Sequence, residues 1–501
     1  MKFYTNVVEV KNEIYHTGYN DGVKFAEFVE YTPTLGLENP AGKYRSLKDK
    51  KLSLKKFDSI REMRDYKNKY SDSLELYNDI SPVYQFISEE YTDLKYNKND
   101  ISIYFYDIEV IDVAGSIKGF PKPEDALVEI VCIAVKDVKH DIVHLFSTVY
   151  WDEKKSIITD RVEHHWFEDE KELLKGFCNF FSEYPPDLLV GYNNSNFDDP
   201  YLLHRTDRIL GRNWLKKLSP VGVVSYSFKE YQGQVHCNYY IKGIQVLDYL
   251  VLYKKFISTS RESFKLSHIA ETELGKDKIQ YEEFDNIREF YINNPQKFQD
   301  YNITDVLLLV DLDKKLSVLE LVFTVAYMAK INYADVLSPI RTWDVMIYNY
   351  LKEQNILIPP SKTGKLKQSF PGAYVHEPKT GVYDWVVSFD LNSLYPHLIM
   401  NYNMSYETII NELECTVNQK EIDSRFFSKE LDVNPDFTLG GAGYYFDKRK
   451  KGLFPIMMEN LYKDRKSVKK NMLELKKKMK ELPSVEEIDK ELKEIETRLN
   501  R

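Results

Sequence analysis

Cysteine is scarce in this chain: four among 501 residues, at 132, 178, 237 and 415, with no C-x-x-C pair. That scatter argues against a disulfide framework or a zinc site and fits a reducing interior. Long apolar runs are missing too. The longest, residues 321–329, is less than half of the roughly 20 residues a membrane helix needs. Residues 1–10 show no basic segment leading into an apolar core, so the expectation is a cytoplasmic protein with no membrane contact. Net positive charge is also absent. At −9 the chain does not belong with proteins that coat nucleic acid by bulk attraction, although local patches outweigh the sum.

What is present points to several cores. A hydrophobic share of 43%, with 38 Tyr and 27 Phe, supplies buried volume and amphipathic surface, and the length implies about three or four domains. Charge is uneven: residues 447–501 hold 17 Lys or Arg against 11 Asp or Glu, a net +6 that leaves −15 for the rest. This end is the expected phosphate-facing surface. Residues 1–100 read as a small α+β unit, with the lysine-rich 48–56 stretch as a solvated loop. Beyond it, strands at 101–106 and 128–135 interleave with helical stretches at 170–182 and 303–316, which predicts an α/β domain with a mixed sheet. A helix over 335–354 precedes Pro359-Pro360 and a polar break at 361–368. Apolar residues then recur at helical spacing from Leu461 to Leu482 and from Val485 to Leu499. Between them lie Pro483 and a capping box made by Ser484 and Glu487. An antiparallel helical hairpin is the simplest arrangement; a coiled-coil arm is the other.

Three acidic pieces stand out. Asp107 and Glu109 are two apart at the end of the 101–106 strand, so their carboxylates leave one face and can share a metal. The apolar Leu188-Leu189-Val190 runs into the polar turn Gly191-Tyr192-Asn193-Asn194-Ser195-Asn196-Phe197-Asp198. Tyr301 and Asp305 stand one helical turn apart on one face. Asp199 reads as a solvated neighbour of Asp198, and His164-His165, flanked by Glu163, Glu168 and Asp169, as an exposed turn.

In this order and with these flanks, the three pieces resemble the exonuclease motifs of the DEDDy proofreading 3′-to-5′ DNA exonucleases. Further stretches extend the likeness: residues 243–249 with 252–256, residues 337–344, Phe370-Pro371-Gly372-Ala373-Tyr374-Val375, and Ser388-Phe389-Asp390-Leu391-Asn392-Ser393-Leu394-Tyr395-Pro396. Along most of its length the chain resembles the family B DNA polymerases of tailed bacteriophages, especially the T-even type. The resemblance implies a multidomain α/β protein: a discontinuous N-terminal domain (1–100 and 319–361), a ribonuclease H-like exonuclease domain (101–318), a partial palm (362–446) and partial helical-hairpin fingers (447–501). It implies that Asp107 bridges two ions, Glu109 and Asp305 hold one, Asp198 steadies the other, Tyr301 orients water, and Asn193 and Phe197 touch DNA. The chemistry agrees. Phosphodiester hydrolysis needs an attacking hydroxide and a stabilised leaving oxyanion, which two cations supply, and four carboxylates suit Mg²⁺, with Mn²⁺ as the alternative. Positioning accounts for about 7 to 11 kcal/mol of the roughly 8 to 23 that enzymes provide.

For the palm, the resemblance makes Asp390 and the Leu391 carbonyl metal ligands, gives the Ser393 and Leu394 amides to a triphosphate, and sets Tyr395 under the deoxyribose. Phe370, Gly372 and Ala373 would guide template, and Arg465 and Lys469 would grip the triphosphate. Implied ligands are primer-template DNA, single-stranded 3′ ends and dNTP. The Lys-x3-Asn-Ser-x-Tyr-Gly helix and Asp-Thr-Asp hairpin that complete such a site do not occur in the 501 residues. The expectation is therefore the N-terminal half of a split or truncated replicative polymerase. It would proofread by itself but add nucleotides only with a C-terminal polymerase polypeptide, with replisome proteins as further contacts. Two other readings remain: a stand-alone 3′-to-5′ exonuclease and a non-catalytic nucleic-acid-binding fragment.

Overall fold

The first hundred residues hold more strand than their polar turns suggest. The structure, a computed structural model, describes all residues except 113–120, 232–233, 258, 277, 280–282, 361–374, 413–423, 425–434, 441–443, 482–485 and 500–501. Strands β1 (Lys2–Val10), β2 (Glu13–Asn20) and β3 (Val23–Val29) form an antiparallel meander. A second sheet orders β4 (Thr34–Glu38), β6 (Lys51–Lys56) and β5 (Tyr44–Arg45) with β6 in the middle. Most of the lysine-rich stretch read as a loop is thus strand β6. Its alternation explains the difference: Leu52 is buried while Lys51, Lys55 and Lys56 stay exposed. Helices α1 (Ile60–Tyr70) and α2 (Pro82–Glu90) follow.

The central sheet is six-stranded and mixed, in the order β10-β9-β8-β7-β11-β14. It comprises β7 (Ile103–Ile111), β8 (Glu129–Asp137), β9 (Ile142–Ser147), β10 (Val162–Trp166), β11 (Leu188–Gly191) and β14 (Gln245–Asp248). Helices α3 (Glu170–Glu183), α4 (Asp198–Leu210) and α5 (Arg212–Leu215) and the hairpin β12–β13 (Val224–Tyr231, Gln234–Ile241) are inserted between its strands. Strand alternation divides the core. Tyr104, Tyr106 and Ile108 face the cluster built with Leu173, Phe177, Phe181 and Tyr201 of α3 and α4. Phe105 faces the other way, where Phe298, Val306 and Leu309 cover the sheet. Asp107 and Glu109 share the parity of Phe105 and so look toward that second layer.

After β14 come α6 (Tyr249–Phe256), α7 (Leu266–Leu274), α8 (Ile287–Asn293), α9 (Pro295–Leu316), α10 (Val318–Ala329) and α11 (Pro339–Glu353). Helix α9 begins eight residues before the expected 303, because the Asn294 side chain accepts from the Lys297 amide and Pro295 suits the first turn. The helix expected over 335–354 is a 3-10 turn at Tyr333–Leu337 followed by α11, with Pro339 marking the restart. No helix among the described residues is long and apolar enough to cross a membrane. Two ties bind the N-terminal meander to the rest: the Tyr4 hydroxyl donates to the Ile331 carbonyl (2.8 Å), and the Asn332 amide bonds both backbone groups of Val7.

The last segment contains α12 (Leu394–Tyr402), the small sheet β15-β17-β16 (Ile409–Glu412, Tyr444–Asp447, Phe437–Leu439) and two long helices, Leu453–Glu481 and Glu486–Leu499. These two pack as a hairpin, linked by an ion pair between Lys476 and Glu496 at 2.8 Å. The polar break at 361–368 and the Ser484 cap lie outside the described residues.

Candidate active site

Strand β7 does not end at Tyr106, as its first charged residue suggests, but continues to Ile111 and carries Asp107 and Glu109 in its interior. Their cross-strand partners are small, Ala134 and Cys132, which leaves room for two carboxylates on the α9 side. Asp305, buried on α9, meets them there: carboxylate oxygens of Asp107, Glu109 and Asp305 lie within 4.8 Å of one another. Tyr301, one turn before Asp305, lines the same cleft, of about 1060 Å³, with Asp107, Tyr192, Asn193 and Phe264.

Asp198 is the fourth acid, at the first position of α4. It stands outside that triad because its Oδ1 accepts from the Ile108 amide of β7 at 3.2 Å. Asp199 is not the solvated neighbour expected: it is 8% exposed, accepts from the Tyr106 hydroxyl, and takes the Asn194 side-chain amide at 2.9 Å. Asn193 lines the cleft, whereas Phe197 packs toward Tyr201, with ring centroids 5.4 Å apart.

Crowded buried carboxylates resist ionisation. Burial, then the charges of Asp198 and Asp305, raises Asp107 well above the ordinary range; burial and Asp107 raise Glu109; burial and Asp199 raise Asp198. Asp305 is pushed up by burial to about 6, a rise limited by the Lys278 ammonium. Such a set fits a hard divalent cation: oxygen donors only, more negative charge than the protein neutralises, and a buried Asp305 Oδ1 without a hydrogen-bond partner.

Three positioning residues escaped the sequence reading. The Asn302 amide donates to Asp107 Oδ2 at 2.7 Å and its carbonyl faces the Cys132 thiol at 3.3 Å, so the residue after Tyr301 orients the central acid. Asp248, ending β14, accepts from the Asn193 and Ser195 amides while capping α6, which holds the Asn193 turn against the cleft. Lys278, after α7, pairs with Asp305. Burial lowers its pKa, but Asp305, Glu109 and Asp107 reverse that into a net rise. The signals available were the adjacency of Asn302 to Tyr301 and the place of Asp248 in the 243–249 stretch.

The second constellation is not assembled. Asp390, expected at the end of an apolar strand, lies in irregular, exposed backbone. Val387, Phe389, Leu391 and Tyr395 are 70%, 91%, 69% and 69% exposed. Such a segment becomes a strand only beside neighbours, and none pairs with it among the described residues. Ser393 takes a left-handed φ of 56° and Leu394 opens α12. Arg465 and Lys469 sit exposed on the first hairpin helix; one turn earlier, Tyr462 meets His397 of α12 edge-on at 4.9 Å. Phe370, Gly372 and Ala373 lie outside the described residues.

Comparison with known proteins is consistent with this division. Residues 45–269 match the DNA polymerase family B exonuclease domain and residues 339–484 match DNA polymerase family B. The chain is 32% identical to the DNA-directed DNA polymerases of Enterobacteria phage T4 and Escherichia phage RB69, over 94% of its own length and 54% of theirs in each case. It is 27% identical to DNA polymerase 1 of Pyrococcus abyssi over 61% of this chain and 37% of that one. The chain thus spans about half the length of the phage relatives it matches. On these matches, the chain belongs to DNA polymerase family B.

Proposed function

We propose that this chain removes nucleotides from the 3′ end of DNA with the carboxylates of Asp107, Glu109, Asp198 and Asp305 and the phenol of Tyr301. The observation that carries this reading is the convergence of the Asp107, Glu109 and Asp305 carboxylates at a cleft lined by Asp107, Asp305 and Tyr301. Asp107, Glu109, Asp198 and Asp305 would hold two Mg²⁺ or Mn²⁺ ions, which when bound supply an activated water and neutralise the scissile phosphate. The protein's part is orientation. Asn302 fixes the Asp107 carboxylate, Tyr301 presents its hydroxyl to the attacking water from the helix that carries Asp305, and Asp248 steadies the Asn193 turn against the terminal nucleotide. Degradation of single-stranded DNA from its 3′ end, dependent on Mg²⁺ and abolished by Asp107→Ala with Glu109→Ala, tests the assignment; an inert parent chain would overturn it and favour a non-catalytic nucleic-acid-binding fragment.

Within this reading, residues 101–318 act as a ribonuclease H-like exonuclease domain, 1–100 with 319–361 as the N-terminal domain, 362–446 as part of a palm and 447–501 as part of the fingers. Asp390, the Leu391 carbonyl, the Ser393 and Leu394 amides, Tyr395, Arg465 and Lys469 form half of a nucleotide-adding site for dNTP and primer-template DNA, and Phe370, Gly372 and Ala373 contact template. The exposure of Asp390 and its neighbours favours completion by further polymerase polypeptide, in the same chain or a separate one. The 501 residues alone then incorporate negligible nucleotide, and robust primer extension by them would refute this half. A stand-alone exonuclease is the competing reading. Co-purification with a polypeptide carrying Asp-Thr-Asp would count against it.

A further inference from the structure

On the opposite face of the central sheet from the exonuclease acids, a second group of ligands converges. Strands β9 and β10 run parallel, with His144 opposite Glu163, and His165 two residues on from Glu163 on the same face. This corrects the reading of His164-His165 as an exposed turn: both lie on β10 and are half-buried. His164 points to the other side, where its Nε2 meets the Ser147 hydroxyl at 2.9 Å. His144 Nδ1 stands 3.3 Å from His165 Nε2 and 3.6 Å from Glu163 Oε2, and the ligand atoms of all three lie within 4.8 Å of one another.

Those separations have a geometric meaning. A tetrahedral zinc site with bonds of about 2.0 to 2.2 Å has ligand-to-ligand edges of roughly 3.3 to 3.6 Å. The His144–His165 and His144–Glu163 contacts both fall on that edge. Aromatic packing holds the rings in place: His165 stacks on Phe146 at 4.5 Å and 15°, and His144 leans on Phe180 at 4.6 Å. Burial lowers the pKa of both imidazoles, which favours the neutral, ligand-competent form. Glu163 is exposed, so a fourth position opens to water. Two imidazoles and a carboxylate select a borderline transition metal over Mg²⁺.

We propose that His144, Glu163 and His165 bind a divalent transition-metal ion of the zinc class, which clips the edge strand β10 to β9. The absence of a cysteine pair disfavours thiolate zinc sites but leaves this histidine-carboxylate set untouched.

The test uses the full 501-residue chain, stripped with chelator and returned to excess Mg²⁺ to occupy the carboxylate cleft. Zn²⁺ is titrated calorimetrically, and Co²⁺ serves as a spectroscopic probe. The expected result is a single Zn²⁺ bound per chain, visible bands of four-coordinate Co²⁺, and a loss of Zn²⁺ affinity of at least about tenfold in both His165→Asn and Glu163→Gln. Both substitutions are at partly or fully exposed positions, and unchanged melting of the metal-free variants verifies that they fold. Equal Zn²⁺ binding by the parent and His165→Asn, or no Zn²⁺ binding at all, overturns the proposal. So does Zn²⁺ binding that disappears in Asp107→Ala with Glu109→Ala, because the ion then belongs to the exonuclease cleft.

Discussion

Lys278 sets its ammonium against the carboxylate of Asp305 and 4.1 Å from the centroid of the Tyr301 ring, inside the cleft where acids from β7 and α9 converge. The charge of one lysine thus offsets part of a cluster that a divalent cation would neutralise more fully. Replacing it with Met removes the offset while keeping the stem that packs on the ring. Breaking a buried pair on one side costs up to about 3 to 5 kcal/mol, and less here because the freed carboxylates can take up protons instead. In chelator, Lys278→Met is expected to melt below the parent, and Mn²⁺ to recover more Tm in the variant than in the parent. Equal Mn²⁺ gains would show that the lysine and the ion do not share the site.

The metal-free cleft also has a pH signature. A carboxyl raised above its unfolded value, such as Asp305 at about 6, favours folding most below about pH 4. That contribution is lost as pH rises through 6, and Asp107, raised mainly by burial, carries the same sign. Asp107→Asn cannot ionise and escapes this loss. In chelator, its Tm should therefore gain on the parent's as pH rises from 4 to 8, and saturating Mn²⁺, which binds the native parent, should close the gap. A gap independent of pH would contradict the raised carboxylates.

Adjacent acids at the start of α4 separate function from stability. Asp199 accepts from the buried Tyr106 hydroxyl and from Asn194, and burial lifts its pKa to about 7. Removing it strands a buried donor, so Asp199→Ala should lose about 1 to 3 kcal/mol in urea unfolding. Asp198→Ala removes a carboxyl crowded by other acids but leaves the Ile108 amide without its acceptor, so its stability loss should be smaller than that of Asp199→Ala. Its 3′-end degradation should fall at least about 10²-fold. The reverse pattern would exchange the two roles.

The carboxylate cluster was legible because its spacings survive folding: Asp107 and Glu109 stand two apart on a strand, Tyr301 and Asp305 four apart on a helix. What failed was context. Asp107 looked like a strand end because charge usually terminates an apolar run, yet Ala134 and Cys132 opposite leave space for β7 to continue. Asp199 looked solvated because burial on the Tyr106 side comes from packing across the sheet. Lys278 lies in a polar loop with no periodicity, and only the folded chain reveals its reach to Asp305. Asp390 shows the opposite failure: its flanks read as a strand, but a strand requires neighbours that the described residues do not supply. The hairpin was legible from its three-and-four spacing, since local periodicity alone specifies it.

Asp187, immediately before β11, ties the N-terminal meander to the central sheet. It is 1% exposed and accepts from the Thr5 hydroxyl at 3.0 Å, the Tyr19 hydroxyl at 2.8 Å and the Ser102 amide at 2.8 Å, with Lys24 at 3.1 Å. Three of these partners come from β1, β2 and β3, and the fourth precedes β7. Asp187→Ala leaves the buried Tyr19 hydroxyl and the Ser102 amide unpaired, while Thr5 keeps Thr17; at about 1 to 3 kcal/mol for each stranded group, a total loss of at least about 2 kcal/mol is expected. Because the junction is remote from Asp107, the intrinsic rate of the folded fraction should stay near that of the parent. Hydrogen exchange should report earlier opening of β1 and β2 than of β7. Simultaneous exchange of both sheets would mean that they unfold as one unit, with Asp187 internal to a single core and not at a junction.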